Sequence, residues 1–192
     1  MNKGEISIVE LRHDNDVHKL TVELIEFSLS VPFFKLDNSE KLEIAQRHKS
    51  VGNELFKNSK VKEAFHRFSK CIKYIVPLRT EDCNSEEVNL LYSSVCNNMA
   101  LCQLQTRNFD HAITLCDKVL NVSPNNVKAL FRRADASMQL KLFEKAAEDL
   151  LKIISLEPGN KIALKNYDIV KKELEKQNKH YTNMVKKMFP FS

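Results

Sequence analysis

The sequence predicts a mostly α protein: a solenoid of paired helices closed by a long C-terminal helix and preceded by a short β-hairpin. Three observations point there. Between Val95 and Pro158 the chain repeats itself at a spacing of 34, with Ala100 recurring as Ala134, Phe109 as Phe143, Ala112 as Ala146 and Pro124 as Pro158. Small residues at fixed places let two helices approach closely, and a proline just past the second helix prevents it from continuing. Glycine (3) and proline (5) are scarce in 192 residues, which suits long helices with short connections. Only the first 30 or so residues depart from this pattern, alternating with a period of two.

In chain order, Ile6 and Ile8 alternate with polar neighbours, as do Leu20, Val22 and Leu24, so two strands are expected. His13-Asp-Asn-Asp16 between them has turn chemistry. Asp37-Asn-Ser-Glu40 has the form of a capping box, placing a helix start near Ser39. Ile44, Val51 and Leu55 follow at helical spacing, Lys57-Asn-Ser-Lys60 makes a turn, and Ala64, Phe68, Cys71 and Ile72 mark a second helix. Gly52, Ala64 and Phe68 match Ala100, Ala112 and Cys116 at an offset of 48, so about 14 extra residues separate the first two repeats. Pro77 to Glu87, with its tip at Thr80 to Ser85, is the expected place for them. The implied organisation is a hairpin and linker over 1–36, three repeats over 37–160 (about 39–77, 88–124 and 127–158), and a lysine-covered terminal helix over 161–192. Such a helix can close the last apolar surface of a short solenoid.

Composition narrows the function. An apolar fraction of 43% can fill a core, and a net charge of +5 favours an acidic partner without naming one. Five cysteines (71, 83, 96, 102 and 116) form no C-x-x-C pair, so neither a metal site nor a disulfide framework is expected. No secretory signal or membrane-length apolar run is apparent, which leads us to expect a soluble cytoplasmic protein, with the nucleus as an alternative and no membrane partner. No phosphate-binding glycine loop or nucleophile–base spacing stands out, and no cofactor is expected. The cations are interspersed with 25 acids and lack aromatic interleaving, which argues against nucleic acid.

The candidate site is an anion site. Lys49 and Asn53 are four apart on the first helix of repeat one, and Lys128 and Arg132 are four apart on the first helix of repeat three. Residues so spaced share a helix face. Asn98 stands on the facing helix of repeat two. Three cations and two amides would converge in one groove, a set suited to two closely spaced carboxylates. Arg133, by the same geometry, turns away toward the surface.

The 34-residue period resembles the tetratricopeptide repeat. Lys49-Ser-Val-Gly-Asn53, Asn98-Met-Ala and Lys128-Ala-Leu-Phe-Arg132 resemble the dicarboxylate clamp of tetratricopeptide co-chaperones. That clamp grips the free C-terminal aspartate of the Hsp90 and Hsp70 tails, which end in Glu-Glu-Val-Asp. By this resemblance Lys49, Asn53 and Asn98 hold the terminal main-chain carboxylate, Lys128 takes the aspartate side chain, and Arg132 supports an upstream contact.

A second resemblance is to the large FK506-binding immunophilins. The extension after repeat one, the ending Tyr181-Thr-Asn-Met-Val-Lys-Lys-Met-Phe189 and the N-terminal strands carry it, the strands being similar to the last two of an FK506-binding domain. Where the family has a longer, tyrosine-bearing loop lining its isomerase pocket, this chain has the seven residues Leu11 to Val17. Prolyl isomerase activity is therefore not expected. On the terminal helix Tyr181, Met184, Val185, Met188 and Phe189 share a face beside Lys179, Lys186 and Lys187, a pattern compatible either with packing on repeat three or with a calmodulin target. The expectation is a non-catalytic co-chaperone or adaptor for Hsp90, or Hsp70. The alternatives are a scaffold for a client kinase, as in divergent immunophilins, and the C-terminal part of a prolyl isomerase.

Overall fold

The computed structural model describes residues 6–13, 16–23, 32–80 and 85–188. Contacts divide the chain into two units, Met1–Asp37 and Asn38–Ser192. In the first, β1 (Ile6–His13) and β2 (Asp16–Glu23) pair antiparallel, with Ile6 opposite Glu23 and His13 opposite Asp16. The link expected over Leu11 to Val17 is mostly strand, since Leu11 pairs with His18 and Arg12 with Val17. Backbone pairing runs on to His13 opposite Asp16. Asp14, Asn15 and Leu24 lie outside the described residues. A short 3-10 turn over Phe33–Lys35 follows.

The second unit holds α1 (Asn38–Lys57), α2 (Val61–Thr80), α3 (Glu86–Gln105), α4 (Phe109–Val122), α5 (Val127–Gln139), α6 (Phe143–Leu156) and α7 (Lys161–Met188). Each helix packs on the next in sequence, and α1 also meets α3, as α3 meets α5. The first helices of the pairs thus neighbour one another along one side. Ala64, Ala100, Ala112, Ala134 and Ala146 are all fully buried, at the places where the repeat pattern demands close approach.

The repeats also match in how they divide volume. Phe68, Cys116 and Leu150 occupy one repeat position, and Gly52, Ala100 and Ala134 another. A Cβ on Gly52 would come within 2.6 Å of the Phe68 ring, so the largest partner is matched with the residue that has no side chain. Each pair turns through the same C-terminal motif. Ser59, Arg107 and Lys141 have φ of 61°, 59° and 59°. The following N–H of Lys60, Asn108 and Leu142 donates back to the carbonyl of Leu55, Gln103 and Ser137.

The residues separating repeats one and two are taken up largely by helix. α1, α2 and α3 each have 20 residues, whereas α4, α5 and α6 have 13 or 14. α2 runs through Pro77, which sits in its last turn and forfeits one backbone bond there. The turn persists because Ile75 and Leu78 are buried and Arg79 lies 4.0 Å over the Tyr92 ring while its Nε donates to Asn89. Residues 81–84, including Cys83, lie outside the described residues. Cys71, Cys96, Cys102 and Cys116 are buried free thiols, as their helical positions suggest.

Candidate functional site

α1 and α3 meet through the two asparagines. Asn98 Nδ2 donates to Asn53 Oδ1 at 2.9 Å, leaving Asn98 one N–H and Asn53 both of its N–H groups for another acceptor. Beside them a pocket of about 210 Å³ is lined by Asn53, Phe56, Lys57, Phe68, Asn98 and Leu101. Lys49 stands one turn before Asn53, and Lys57 one turn after it. Lys57 is a cation that the sequence reading passed over, though Lys49, Asn53 and Lys57 lie at steps of four on one helix.

α5 supplies the other half. Its start is fixed by Asn126, whose Oδ1 accepts from the Ala129 N–H at 3.0 Å and from Asn97 Nδ2 at 3.3 Å. The cap of α5 is thereby tied to α3, and Lys128 follows two residues later, exposed. Arg132 is half-buried next to Cys102 of α3 and Cys116 of α4. Burial lowers its pKa from the ordinary guanidinium value, and its Nη1 is enclosed without a hydrogen-bond partner. Burial pushes the Cys102 thiol up to about 11 and the Cys116 thiol up to about 12, so at neutral pH neither supplies a counter-charge. A desolvated, unpaired guanidinium is costly, and an anion entering the groove would relieve that cost.

Among the described residues, Lys49, Lys128 and Arg132 have no acidic partner within ion-pair distance. The structure therefore joins Asn53 to Asn98 directly and sets Arg132 against α3. Neither Lys49 on α1 nor Lys128 on α5 hydrogen-bonds to Asn53 or Asn98 among the described residues. Asp135, exposed three residues beyond Arg132, is an acid on the same flank.

Arg133 corrects the sequence reading. It is partly buried rather than a surface residue, and its Nε and Nη2 donate to the two oxygens of Asp149 at 2.9 and 2.6 Å. Its Nη1 donates to Asp117. The fork links α4, α5 and α6, and the two carboxylates raise the guanidinium pKa, Asp149 most strongly. Sequence spacing places a side chain on a helix face; it does not reveal acids 16 residues away on both sides.

On α7, Tyr181, Met184 and Met188 are exposed and Val185 is half-buried, while Phe189 lies outside the described residues. Among the described residues there is no group of three potential metal ligands. None of the described helices is long and apolar enough to cross a membrane.

The tetratricopeptide repeat family model matches residues 93–126 and 127–160. FK506-binding protein 59 of Drosophila melanogaster is 34% identical, covering 98% of this chain and 46% of its own length. The chain spans about half the length of the curated relatives it matches. Among solved structures, the C-terminal repeat domain of a Plasmodium falciparum FK506-binding protein superposes with a TM-score of 0.70 at 28% identity, covering 77% of this chain and 99% of that one. The Hsp90 co-chaperone Cns1 of Saccharomyces cerevisiae gives a TM-score of 0.62 at 29% identity, over 79% of this chain and 46% of that one.

Proposed function

We propose that this chain, which carries tetratricopeptide repeats and has large FK506-binding immunophilins among its relatives, is a non-catalytic co-chaperone module. Its groove grips the free acidic C-terminus of Hsp90, with the Hsp70 tail as the alternative ligand. The observation that carries this reading is the buried Nη1 of Arg132, without a hydrogen-bond partner, together with Lys49 and Lys128, which have no acid within ion-pair distance among the described residues. Lys49 and the free N–H groups of Asn53 and Asn98 would bind the terminal main-chain carboxylate. Lys128 would meet the aspartate side chain, and Arg132 a group farther upstream. Likeness to the Hsp90 co-chaperone Cns1 supports the choice of ligand.

A short extended tail on a shallow groove implies an affinity near ~1 µM. Calorimetric titration with Met-Glu-Glu-Val-Asp, free and C-terminally amidated, tests the reading. Binding of the free peptide that amidation or Lys128→Ala abolishes is the expected result; equal binding of both peptides would sink it. If neither peptide binds, pull-down with a client kinase becomes the informative measurement. Partnership with a cytosolic chaperone would place the protein in the cytoplasm.

The exposed Tyr181, Met184 and Met188 beside Lys186 and Lys187 favour a second docking element for calmodulin on the far half of α7. Calcium-dependent binding of a peptide spanning 176–192, lost in Met184→Ser/Met188→Ser, is the expected result.

A further inference from the structure

α3 and α5 are joined through a polar side chain that is almost wholly buried. Asn97 is 5% exposed, and its Nδ2 donates to Asn126 Oδ1 at 3.3 Å. Asn126 Oδ1 also accepts from the Ala129 N–H at 3.0 Å, so one oxygen serves both the cap of α5 and the link to α3. Asn97 Oδ1 has no hydrogen-bond partner, and neither has the Oγ of Ser93, one turn earlier on the same face and also buried. The corresponding residues of the other repeats are different. At the offsets of 48 and 34, Ser93 corresponds to Ala45 and Val127, and Asn97 to Lys49 and Phe131. The cap of α7 is instead tied within its own turn, Asn160 Oδ1 accepting from the Ala163 N–H while its Nδ2 donates to Glu157.

A half-satisfied amide at this depth does not strengthen the fold. Burial of a carbonyl oxygen that finds no donor opposes the one hydrogen bond the amide makes, and an apolar residue of similar volume would be neutral or better. What the amide does supply is direction. The first turn of a helix has N–H groups without intrahelical partners, and helix ends fray. Lys128 lies in that turn, at the second position of α5, one residue before the N–H that the cap engages. Its side chain is exposed, so packing does not hold it. Arg132, one turn on, is half-buried beside Cys102 and Cys116 and is held by those surroundings. Of the two site cations on α5, Lys128 is therefore the one whose place depends on the link between Asn97 and Asn126.

We propose that Asn97 is a positioning residue for ligand recognition: it holds the first turn of α5 against α3 and so fixes Lys128 relative to Asn98. The proposal rests on the clamp reading above, in which Asn98 binds the terminal main-chain carboxylate and Lys128 the aspartate side chain. Those two carboxylates belong to one residue, so the groups that receive them have to keep their separation to within about 0.5 Å. The adjacent asparagines divide this task. Asn98 reaches α1 through Asn53, and Asn97 reaches α5 through Asn126. Between them the three first helices are held together by side-chain amides.

Fluorescence anisotropy with two labelled peptides tests this. Met-Glu-Glu-Val-Asp and Met-Glu-Glu-Val-Asn differ only in the side-chain carboxylate that Lys128 would meet. The wild-type chain is expected to prefer the aspartate peptide by about tenfold. Asn97→Leu should reduce that preference to about threefold through weaker binding of the aspartate peptide alone, with an unchanged or higher urea midpoint. Asn126→Ser cuts the same link from the other side, since serine is as good a cap but its side chain is one bond shorter toward Asn97, and it should reproduce the loss. Ser93→Ala removes a hydroxyl from the same buried face without touching the link and should leave the preference at its wild-type value. Equal binding of the two peptides by the wild-type chain, a preference left intact in either folded variant, or an equal weakening of both peptides would overturn the positioning role while carboxylate binding stands. A wild-type chain that binds neither peptide would remove the clamp reading, and the role of Asn97 with it.

Discussion

Arg132 and Arg133 are adjacent in sequence and belong to two different regions of the molecule. Arg133 faces the packed side of α5, where Asp117 and Asp149 occupy all three branches of its guanidinium. Arg132 lies next to Cys116 of α4 and Cys102 of α3, and its enclosed Nη1 has no hydrogen-bond partner among the described residues. One arginine has its full complement of acids and ties three helices together. The other is desolvated, at some cost to the fold, and finds no acid among the described residues. Such an arrangement separates the residues that stabilise the solenoid from those that recognise a ligand, and substitutions should separate the same way.

The largest effect is expected at the packed side. Asp149 is 4% exposed, so Arg133→Ala would leave a buried carboxylate facing only the more exposed Asp117. Loss of one partner from a buried pair destabilises by about 3 kcal/mol. Urea unfolding measures it. A smaller loss in Arg133→Met/Asp149→Leu than in Arg133→Met alone would locate the effect in the stranded carboxylate rather than in lost packing.

At the groove the signs differ. Arg132→Ala removes a desolvated charge with no partner, so stability should change by less than about 0.5 kcal/mol. Tail binding should fall by about tenfold or more, equivalent to about 1.4 kcal/mol. A large drop in the urea midpoint with unchanged binding would invert the comparison and assign Arg132 to the core.

A smaller effect is expected at the turns, outside both regions. Lys141 has a left-handed backbone that costs a residue with a Cβ about 1 kcal/mol or more. Lys141→Gly should therefore stabilise by about 0.5 kcal/mol after the entropy of glycine is counted, with tail affinity unchanged. Unfolding at fixed pH, alongside one binding isotherm, checks both parts.

What was legible in the sequence follows the same division. The helix pairs could be read because Ala100, Ala134, Ala112 and Ala146 repeat at 34, and close packing requires that regularity. Lys49 with Asn53, and Lys128 with Arg132, could be singled out because steps of four fix a shared face on one helix, whereas Asn98 could be added only from its place on the facing helix of repeat two. Arg133 was misjudged because its acids sit on α4 and α6, and pairing across helices depends on side-chain reach, not on spacing along the chain. Between repeats one and two, buried Leu78 and the seat of Arg79 on Tyr92 carry α2 past Pro77, a tertiary effect that local spacing does not announce.

The smallest expected effect concerns His48, which lies on α1 next to Lys49 but is turned toward α2, its ring stacked on Tyr74 with centroids 5.8 Å apart. Burial lowers its pKa below the ordinary 6.5, and the charges of Arg67, Lys70, Arg47 and His66 push the same way. The folded chain thus favours neutral imidazole, and between the lowered pKa and 6.5 the unfolded chain binds more protons. This contribution to stability is fully present above pH 6.5 and is lost as pH falls through the lowered value. The urea midpoint should accordingly decrease from pH 7.5 to 5.5, and His48→Gln should flatten that decrease while leaving tail binding at pH 7.5 intact. An equally steep fall in the variant would assign the pH response to other groups. A loss of tail binding would mean that the surface behind the groove and the groove itself are not separable, and that the contrast between Arg132 and Arg133 is confined to α5.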